Sequence, residues 1–140
     1  MKTQNVLYWS STGLAALAFA AGGLFDLSGA PAVVSTMAQL GYPAYVATLL
    51  GAWKVLGAIA ILVPRGARIK EWAYAGMFFD LTGAAVSHLA SGDPAGKVIT
   101  PLVILGFVMA SWALRPAGRN VQTPEREERV LRQPAHAAAV

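Results

Sequence analysis

The fold of this chain is decided between residues 51 and 88, where the sequence reads GAWKVLGAIAILVPRGARIKEWAYAGMFFDLTGAAVSH. Two apolar segments are joined there by a basic loop, residues 64–71. Lys54 lies inside the first segment, and Asp80 and His88 lie inside the second. If these segments cross a bilayer, each charge in the hydrocarbon region is costly and needs a partner. Two questions follow: whether the stretch spans a membrane, and how its charges are paired.

The composition is typical of a membrane protein. Of the 140 residues, 56% are hydrophobic and 13% are charged, whereas about 25% of the residues in a soluble domain are charged. Apolar segments cover about residues 6–27, 44–63, 72–90 and 98–114, and about 20 apolar residues suffice for a helix to cross a bilayer. We therefore predict an all-α membrane protein, an antiparallel bundle of four transmembrane helices that forms one domain, residues 1–115.

The linker between the first two segments, residues 28–43, carries no charge. Its apolar residues recur at spacings of three and four, at Val33, Val34, Met37 and Leu40. This pattern predicts a short interfacial or re-entrant helix between helices 1 and 2. Gly41 and Pro43 then end it, and Tyr42 places an aromatic ring where membrane interfaces favour one.

A secretory signal peptide is a competing interpretation of the first segment, because residues 28–30, Ser-Gly-Ala, resemble a cleavage site. Three features disfavour it. The apolar run is longer than a usual signal-peptide core and contains Asp26, and Pro31 would follow the cut. We therefore interpret the segment as the first transmembrane helix.

The distribution of basic residues predicts the orientation. With four spans, the N-terminus, the loop of residues 64–71 and the C-terminal tail share one side and hold nine of the eleven lysines and arginines. The positive-inside rule places that side, and both termini, in the cytoplasm. Residues 116–140 are rich in charge and proline, and they contain too little apolar surface to fold alone. We expect them to form a disordered cytoplasmic tail.

Lys54 and Asp80 are expected to pair. At a rise of about 1.5 Å per residue, Lys54 lies about 15 Å from one edge of its segment and Asp80 about 12 Å from the opposite edge of the next. The two charges therefore reach similar depths on antiparallel neighbours. Two roles stay open for the pair: a structural contact that fixes helix register, and a functional pair lining a ligand or proton path.

A second polar cluster is expected near the outer interface, where Asp26 and His88 end their segments and Gln39 lies in the linker. Trp53, beside Lys54, is more typical of lipid-facing packing than of a ligand platform. The candidate ligand-binding residues are Lys54, Asp80, Asp26, His88, Gln39 and Trp53.

Several site types lack the residues they need. The chain has no cysteine, which excludes disulfides and thiolate-bound metals. No His and carboxylate set has metal-ligand spacing, so we predict no metal site. No redox centre is encoded. Nucleic acid is not an expected partner, because membrane topology accounts for the basic residues.

The residues that carry these features resemble those of a known family. Residues 40–43 (LGYP), 50–58 (LGAWKVLGA), 70–76 (KEWAYAG) and 79–84 (FDLTGA), with Ser87 and His88 after them, resemble the DoxX-like family of small bacterial four-helix membrane proteins. The resemblance covers about residues 8–115 and implies a multi-pass protein of the bacterial inner membrane. It also implies a link to quinone-dependent oxidoreductases, since relatives in the wider DoxX and DoxD group are membrane subunits of such enzymes.

The leading functional hypothesis is that the Lys, Asp and His groups bind a small or amphipathic ligand such as a quinone, as part of an oxidoreductase system. Hydrogen bonding and proton exchange at the headgroup would be its chemistry. Quinone is then the one cofactor expected. The expected partners are the bilayer, membrane or soluble oxidoreductase subunits and further copies of the chain.

Two alternatives stay open. The same charges could only set helix packing in a structural or accessory membrane subunit. Alternatively, the four-helix architecture resembles that of sterol-isomerase-like membrane proteins, and Asp80 or His88 would then be the acid or base of a lipid-acting isomerase. The sequence alone leaves open whether the protein is an enzyme, and no catalytic residue is assigned.

Overall fold

A computed structural model describes residues 2–116, which form five α-helices and no strand. The helices are α1 (Lys2–Leu27), α2 (Pro31–Gln39), α3 (Tyr45–Leu62), α4 (Ala67–Ala90) and α5 (Ala95–Ala113). The all-α prediction is confirmed for this part of the chain. The predicted disordered tail, residues 116–140, lies outside the described residues except for its first residue.

Three helices are long and apolar enough to cross a membrane, namely Thr3–Leu27 within α1, together with Tyr45–Leu62 and Ala95–Ala113. This agrees with a membrane protein. Helix α4 has 24 residues but is not among the three, and Asp80 and His88 lower its hydropathy. Four transmembrane helices therefore remain a prediction.

The helices form a closed ring in the order α1, α3, α4, α5, since α1 and α4 each pack against both α3 and α5. Ring neighbours run in opposite directions along the chain. Helix α2 packs against α3 and lies at the end of the ring where α4 turns into α5; we call this the α2 end. The opposite end, with residues 63–66 and Arg115, is the tail end.

The core lies where the ring helices meet. Phe19 from α1, Ala58 from α3, Leu81 from α4 and Val108 from α5 belong to one buried apolar cluster. Large apolar side chains also cover the outside of the ring, for example Leu17, which is 67% exposed. An apolar exterior around a packed interior is what a lipid environment favours.

Three helices begin earlier than the sequence indicated. Helix α1 starts at Lys2, α4 at Ala67 and α5 at Ala95, against predicted starts at about residues 6, 72 and 98. The prediction followed apolar composition, which stops at charged residues, whereas helical hydrogen bonding continues through them. Gly66, with φ 85°, takes the left-handed conformation directly before α4, which a residue with a Cβ rarely adopts.

Lys70 closes the turn between α3 and α4. Its side chain is fully buried, and Nζ donates to the Ala60 carbonyl oxygen at 2.9 Å and to that of Val63. Both carbonyl groups lie at the C-terminal end of α3. Unpaired carbonyl groups and the helix dipole favour a cation there. Lys70 was interpreted from the sequence only as a topology signal, and the structure gives it this further role in the fold.

Candidate functional site

The site is positioned by a close crossing of α1 and α3 at Gly23 and Gly51. A Cβ added to Gly51 would lie 2.8 Å from the Gly23 carbonyl oxygen and 3.0 Å from the Asp26 Cβ. A Cβ added to Gly23 would lie 2.8 Å from the Gly51 carbonyl oxygen and 2.9 Å from the Lys54 Cβ. Glycine therefore lets the two backbones meet, and the crossing holds Asp26 against Lys54.

Lys54 bridges two carboxylates. Its Nζ lies 2.8 Å from Asp26 Oδ2 and 3.9 Å from Asp80 Oδ2. The predicted Lys54 to Asp80 contact is present, but the shorter partner is Asp26, which the sequence had grouped with His88. That grouping is wrong. Because Gly23 meets Gly51, Asp26 lies about one helical turn from the crossing, within reach of a lysine side chain. We call Asp26, Lys54 and Asp80 the charge cluster.

The charge cluster is largely shielded and carries an excess of acid. The exposed fractions of the side chains are 24% for Lys54, 17% for Asp26 and 14% for Asp80. Two carboxyl groups share one ammonium group, and no second cation within the described residues forms an ion pair with either. The cluster therefore holds one more acidic group than basic groups.

The Asp80 carboxylate has hydrogen-bonding capacity that the described residues do not use. Asp26 accepts the 2.8 Å hydrogen bond from Lys54, whereas Asp80 contacts the same ammonium group only at 3.9 Å. Within residues 2–116, no side chain or backbone group donates a hydrogen bond to the Asp80 carboxylate at normal distance. The carboxylate is therefore free to meet a ligand or water.

One pocket beside the charge cluster lies between α3 and α4 and has a volume of about 580 Å³. It extends from Lys54 and Asp80 toward Trp72 and Ile69 near the tail end. Trp53 lines it and is 64% exposed, so the residue predicted to face lipid also faces the pocket. Apart from the charged pair the lining is apolar and aromatic. Its volume falls within the range of small-molecule sites.

A second pocket, of about 330 Å³, lies between α1, α4 and α5 on the other side of the same pair. Lys54 and Asp80 line both pockets. The second pocket continues to His88, Thr100 and Lys97 at the α2 end. His88 is thus connected to Lys54 and Asp80 through this space, although it touches neither.

His88 and Gln39 meet at Asp93, which the sequence analysis did not consider as a site residue. His88 Nδ1 lies 2.8 Å from Asp93 Oδ2, and Gln39 Nε2 donates to Asp93 Oδ1 at 2.9 Å. Lys97 Nζ also donates to Oδ1 at 2.9 Å. The predicted outer cluster therefore exists around Asp93 and not around Asp26. The sequence alone does not predict the contact between Asp93 and Gln39, because that distance depends on where the linker lies.

The model of the DoxX-like family matches residues 10–111. The chain belongs to the DoxX-like family. The matched residues include Asp26, Lys54 and Asp80, the linker with α2, and all of α5 except its last two residues. No curated protein and no solved structure matches the chain.

In this DoxX-like protein, side-chain hydrogen bonds attach the linker to the α2 end of the bundle. Besides the hydrogen bond from Gln39 to Asp93, the hydroxyl groups of Tyr42 and Ser87 lie 2.9 Å apart. The segment between α1 and α3 is therefore held to α4 and to the turn that follows it.

Asp93 makes this attachment sensitive to acid. Its hydrogen bonds with His88 and then Lys97 lower the pKa of the Asp93 carboxyl from 3.8 to about 2. Because the pKa in the folded state is the lower one, the contribution to stability is present above about pH 3.8 and is lost as the pH falls toward 2.

We expect Asp93→Asn to lower the melting temperature at neutral pH. The difference in melting temperature from the parent protein should shrink toward zero as the pH falls from about 3.8 to about 2. Melting curves in detergent across that range measure it. A difference independent of pH would contradict this role.

The DoxX-like bundle also contains a chain of buried, hydrogen-bonded hydroxyl groups that was not predicted from the sequence. Tyr74 OH lies 2.7 Å from Ser111 Oγ, which lies 2.6 Å from Thr12 Oγ1. Thr12 donates its own proton to the Tyr8 carbonyl oxygen, so Ser111 must donate to Thr12 and Tyr74 to Ser111. The sequence signal for such a chain is the presence of hydroxyl residues within apolar segments. The chain joins α1, α4 and α5 toward the tail end.

An ion pair outside the pockets fastens the tail end. Glu71 Oε1 pairs with Arg115 Nη2 at 2.7 Å, and Trp112 Nε1 donates to Glu71 Oε2 at 3.0 Å. Arg115 also lies 5.0 Å above the ring centroid of Tyr74. These contacts join α4 to the end of α5. The sequence did not predict this ion pair: Glu71 and Tyr74 appeared there only within the family motif of residues 70–76, and Arg115 only as a basic residue.

Proposed function

We propose that this protein is a four-span membrane protein that binds a small amphipathic ligand, such as a quinone, in the pocket between α3 and α4. The observation that carries the proposal is the Asp80 carboxylate, which lines the pocket and accepts no hydrogen bond at normal distance within residues 2–116. An apolar pocket that ends on a few polar groups is the usual form of a small-molecule site.

The chemistry of the pocket suits a headgroup with both acceptors and donors. Lys54 is a donor that can bind a quinone carbonyl oxygen, and Asp80 is an acceptor that can bind a quinol hydroxyl group. The tail of the ligand would lie along Trp53, Met77 and Trp72, which line the pocket. Trp53 and Trp72 are 64% and 80% exposed, so the pocket would be entered from the lipid. The residues supply binding and proton exchange, and the ligand supplies the redox chemistry.

The membrane arrangement belongs to the same proposal. Helix α4 would complete the ring as the fourth span, with Asp80 in contact with Lys54 inside and His88 hydrogen-bonded to Asp93 at the α2 end. The tail end would face the cytoplasm of a bacterial inner membrane, following the positive-inside rule. Oxidoreductase subunits, in the membrane or soluble, are the proposed partners.

A purely structural role is the second candidate, and the Gly23 to Gly51 crossing favours it. The ion pair between Lys54 and Asp26 sits directly at this crossing. In that case the pair would fix how α1 packs on α3, and the pocket would hold only lipid. Binding measurements separate the two candidates.

We expect decylubiquinone to quench the tryptophan fluorescence of the purified protein in detergent, because Trp53 and Trp72 line the pocket. Asp80→Asn removes the charged acceptor and is expected to weaken binding about tenfold, equivalent to about 1.4 kcal/mol. Thr82→Val is the matched control, since Thr82 lies on the same helix and lines neither pocket. Equal affinities for the parent, Asp80→Asn and Thr82→Val would reject the site, and Trp53→Phe should remove part of the quenching if the site is correct.

A further inference from the structure

The second pocket leads from the α2 end to the charge cluster. Lys97, in the first turn of α5, and His88, in the last turn of α4, line its outer part, and Lys54 and Asp80 line its inner part. We propose that this pocket is an aqueous path through which protons exchange between water at the α2 end and the carboxyl groups of the charge cluster. The path goes beyond ligand binding and is independent of what the other pocket binds.

The pocket is large and polar enough to hold water. Its volume of about 330 Å³ is far above the roughly 10–15 Å³ of probe-occupied volume that a single water needs. Thr100 Oγ1 donates to the Gly96 carbonyl oxygen at 2.7 Å, which leaves the lone pairs of the hydroxyl oxygen as acceptors for water. His88, Lys97 and Thr100 therefore give bound waters polar partners at the mouth, and Lys54 and Asp80 do so at the inner end.

The two pockets differ in chemistry although they share a pair of residues. The pocket between α3 and α4 is lined by exposed tryptophans and opens toward the surface of the bundle that faces lipid. The second pocket has polar groups at both ends, with His88, Lys97 and Thr100 at the α2 end. Asp80 lies between them, so a molecule from the lipid and a proton from water would reach it from different sides.

The charge cluster supplies a place for the proton. Its two carboxyl groups face one ammonium group, so a proton taken from water can form an O–H bond on a carboxylate oxygen and leave the cluster neutral overall. Releasing that proton to water restores the ion pair and the free carboxylate. The ionisable groups that face the path or its ends are Asp26 on α1, Lys54 on α3, Asp80 and His88 on α4, Asp93 in the turn and Lys97 on α5.

Cysteine accessibility tests the path, because the chain has no cysteine of its own. Ala84 lines the second pocket, whereas Val86 is 64% exposed on the outside of the bundle and lies two residues nearer the α2 end. A methanethiosulfonate reagent reacts with thiolates, which need water. In membrane vesicles we expect a sulfonated, impermeant reagent to modify Ala84→Cys about tenfold faster than Val86→Cys, although Ala84 is the deeper position.

The side of entry is part of the test. Ser35→Cys, on α2, and Arg65→Cys, at the tail end, report which face of the membrane the reagent reaches. Ala84→Cys should react only where Ser35→Cys reacts. Equal rates at Ala84 and Val86, or reaction from the face reported by Arg65→Cys, would overturn the proposal. If Ala84→Cys does not fold, Ala18→Cys in the pocket and Leu17→Cys on the lipid face form an equivalent pair on α1.

Proton movement has a separate readout. Exchange into D₂O shifts the infrared carbonyl band of a protonated carboxyl group in the charge cluster. We expect modification of the Ala84→Cys variant to slow this shift, while modification of the Val86→Cys variant leaves its rate unchanged. An unchanged rate in both variants would overturn proton exchange through the pocket. Neither readout uses a quinone, so failure of the path and failure of the ligand proposal are distinguishable.

Discussion

Replacing Lys54 by methionine is expected to lower the free energy of unfolding by about 3–5 kcal/mol, because it leaves two shielded carboxylates without their cation. The Nζ atom removed lies 2.8 Å from Asp26 and 3.9 Å from Asp80. Thermal unfolding in one detergent, monitored by circular dichroism, measures the loss. Lys97→Met is the matched control: Lys97 pairs with Asp93 but its side chain is 47% exposed, so we expect a change of about 1 kcal/mol or less.

Neutralising the partners should restore much of this loss. The triple variant Asp26→Asn, Lys54→Met and Asp80→Asn has no unpaired charge in the cluster, and removing a whole buried ion pair is often close to neutral. Double-mutant cycles should also give a larger coupling energy for Lys54 with Asp26 than with Asp80, because the first contact is the shorter. A triple variant as unstable as Lys54→Met would show that the charges do not offset one another.

Gly51→Ala is expected to have the second largest effect, a loss of about 1–3 kcal/mol. The new Cβ would lie 2.8 Å from the Gly23 carbonyl oxygen, and a backbone atom cannot rotate away as a flexible side chain can. Helices α1 and α3 must then separate, and Asp26 moves away from Lys54. The same unfolding measurement applies.

A neighbouring glycine provides the control for that substitution. A Cβ at Gly22 would meet nothing within 4 Å, so Gly22→Ala should be neutral or stabilising by up to about 1 kcal/mol from helix propensity. Lys54→Met should also cost less in the Gly51→Ala background than in the parent protein, because the pair has already been loosened. Equal costs in both backgrounds would mean that the crossing does not position the pair.

Much of the helical architecture could be predicted because apolar length and turn residues are local signals. The short helix α2 followed from four apolar residues at helical spacing, and Pro31 does stand in its first turn. Segment boundaries in the uncharged regions were close, at Leu62 and Ala90 for example. The starts of α1, α4 and α5 were missed by about a turn, because charged residues ended the apolar pattern while the helix continued.

The pairing of charges could be predicted only in part. The depth of a residue within its own apolar segment can be estimated from the sequence, whereas the shift of one helix along its neighbour cannot. The depth estimate brought Lys54 and Asp80 together correctly. It placed Asp26 at the end of its own span, whereas the Gly23 to Gly51 contact shifts α1 relative to α3 and brings Asp26 to Lys54. Nothing in the sequence specifies which glycines of two helices will meet.

Asp93 shows the same limit at the α2 end. It lies in the pattern Ser-Gly-Asp-Pro, which favours a turn, and Ser91 and Gly92 directly before it form one. Its contacts with His88 and Lys97 are local in sequence and could have been considered at spacings of five and four. The contact with Gln39 joins residues far apart in the chain and depends on where the linker crosses the bundle.

In the proposed function Asp80 is the polar end of a ligand pocket. The most direct test is the decylubiquinone titration of the parent protein against Asp80→Asn, with Thr82→Val in parallel. We predict saturable quenching for the parent and for Thr82→Val, and affinity about tenfold weaker for Asp80→Asn with its fold retained. Saturable quenching of equal affinity in all three proteins, or no saturable quenching in the folded parent protein, would contradict it.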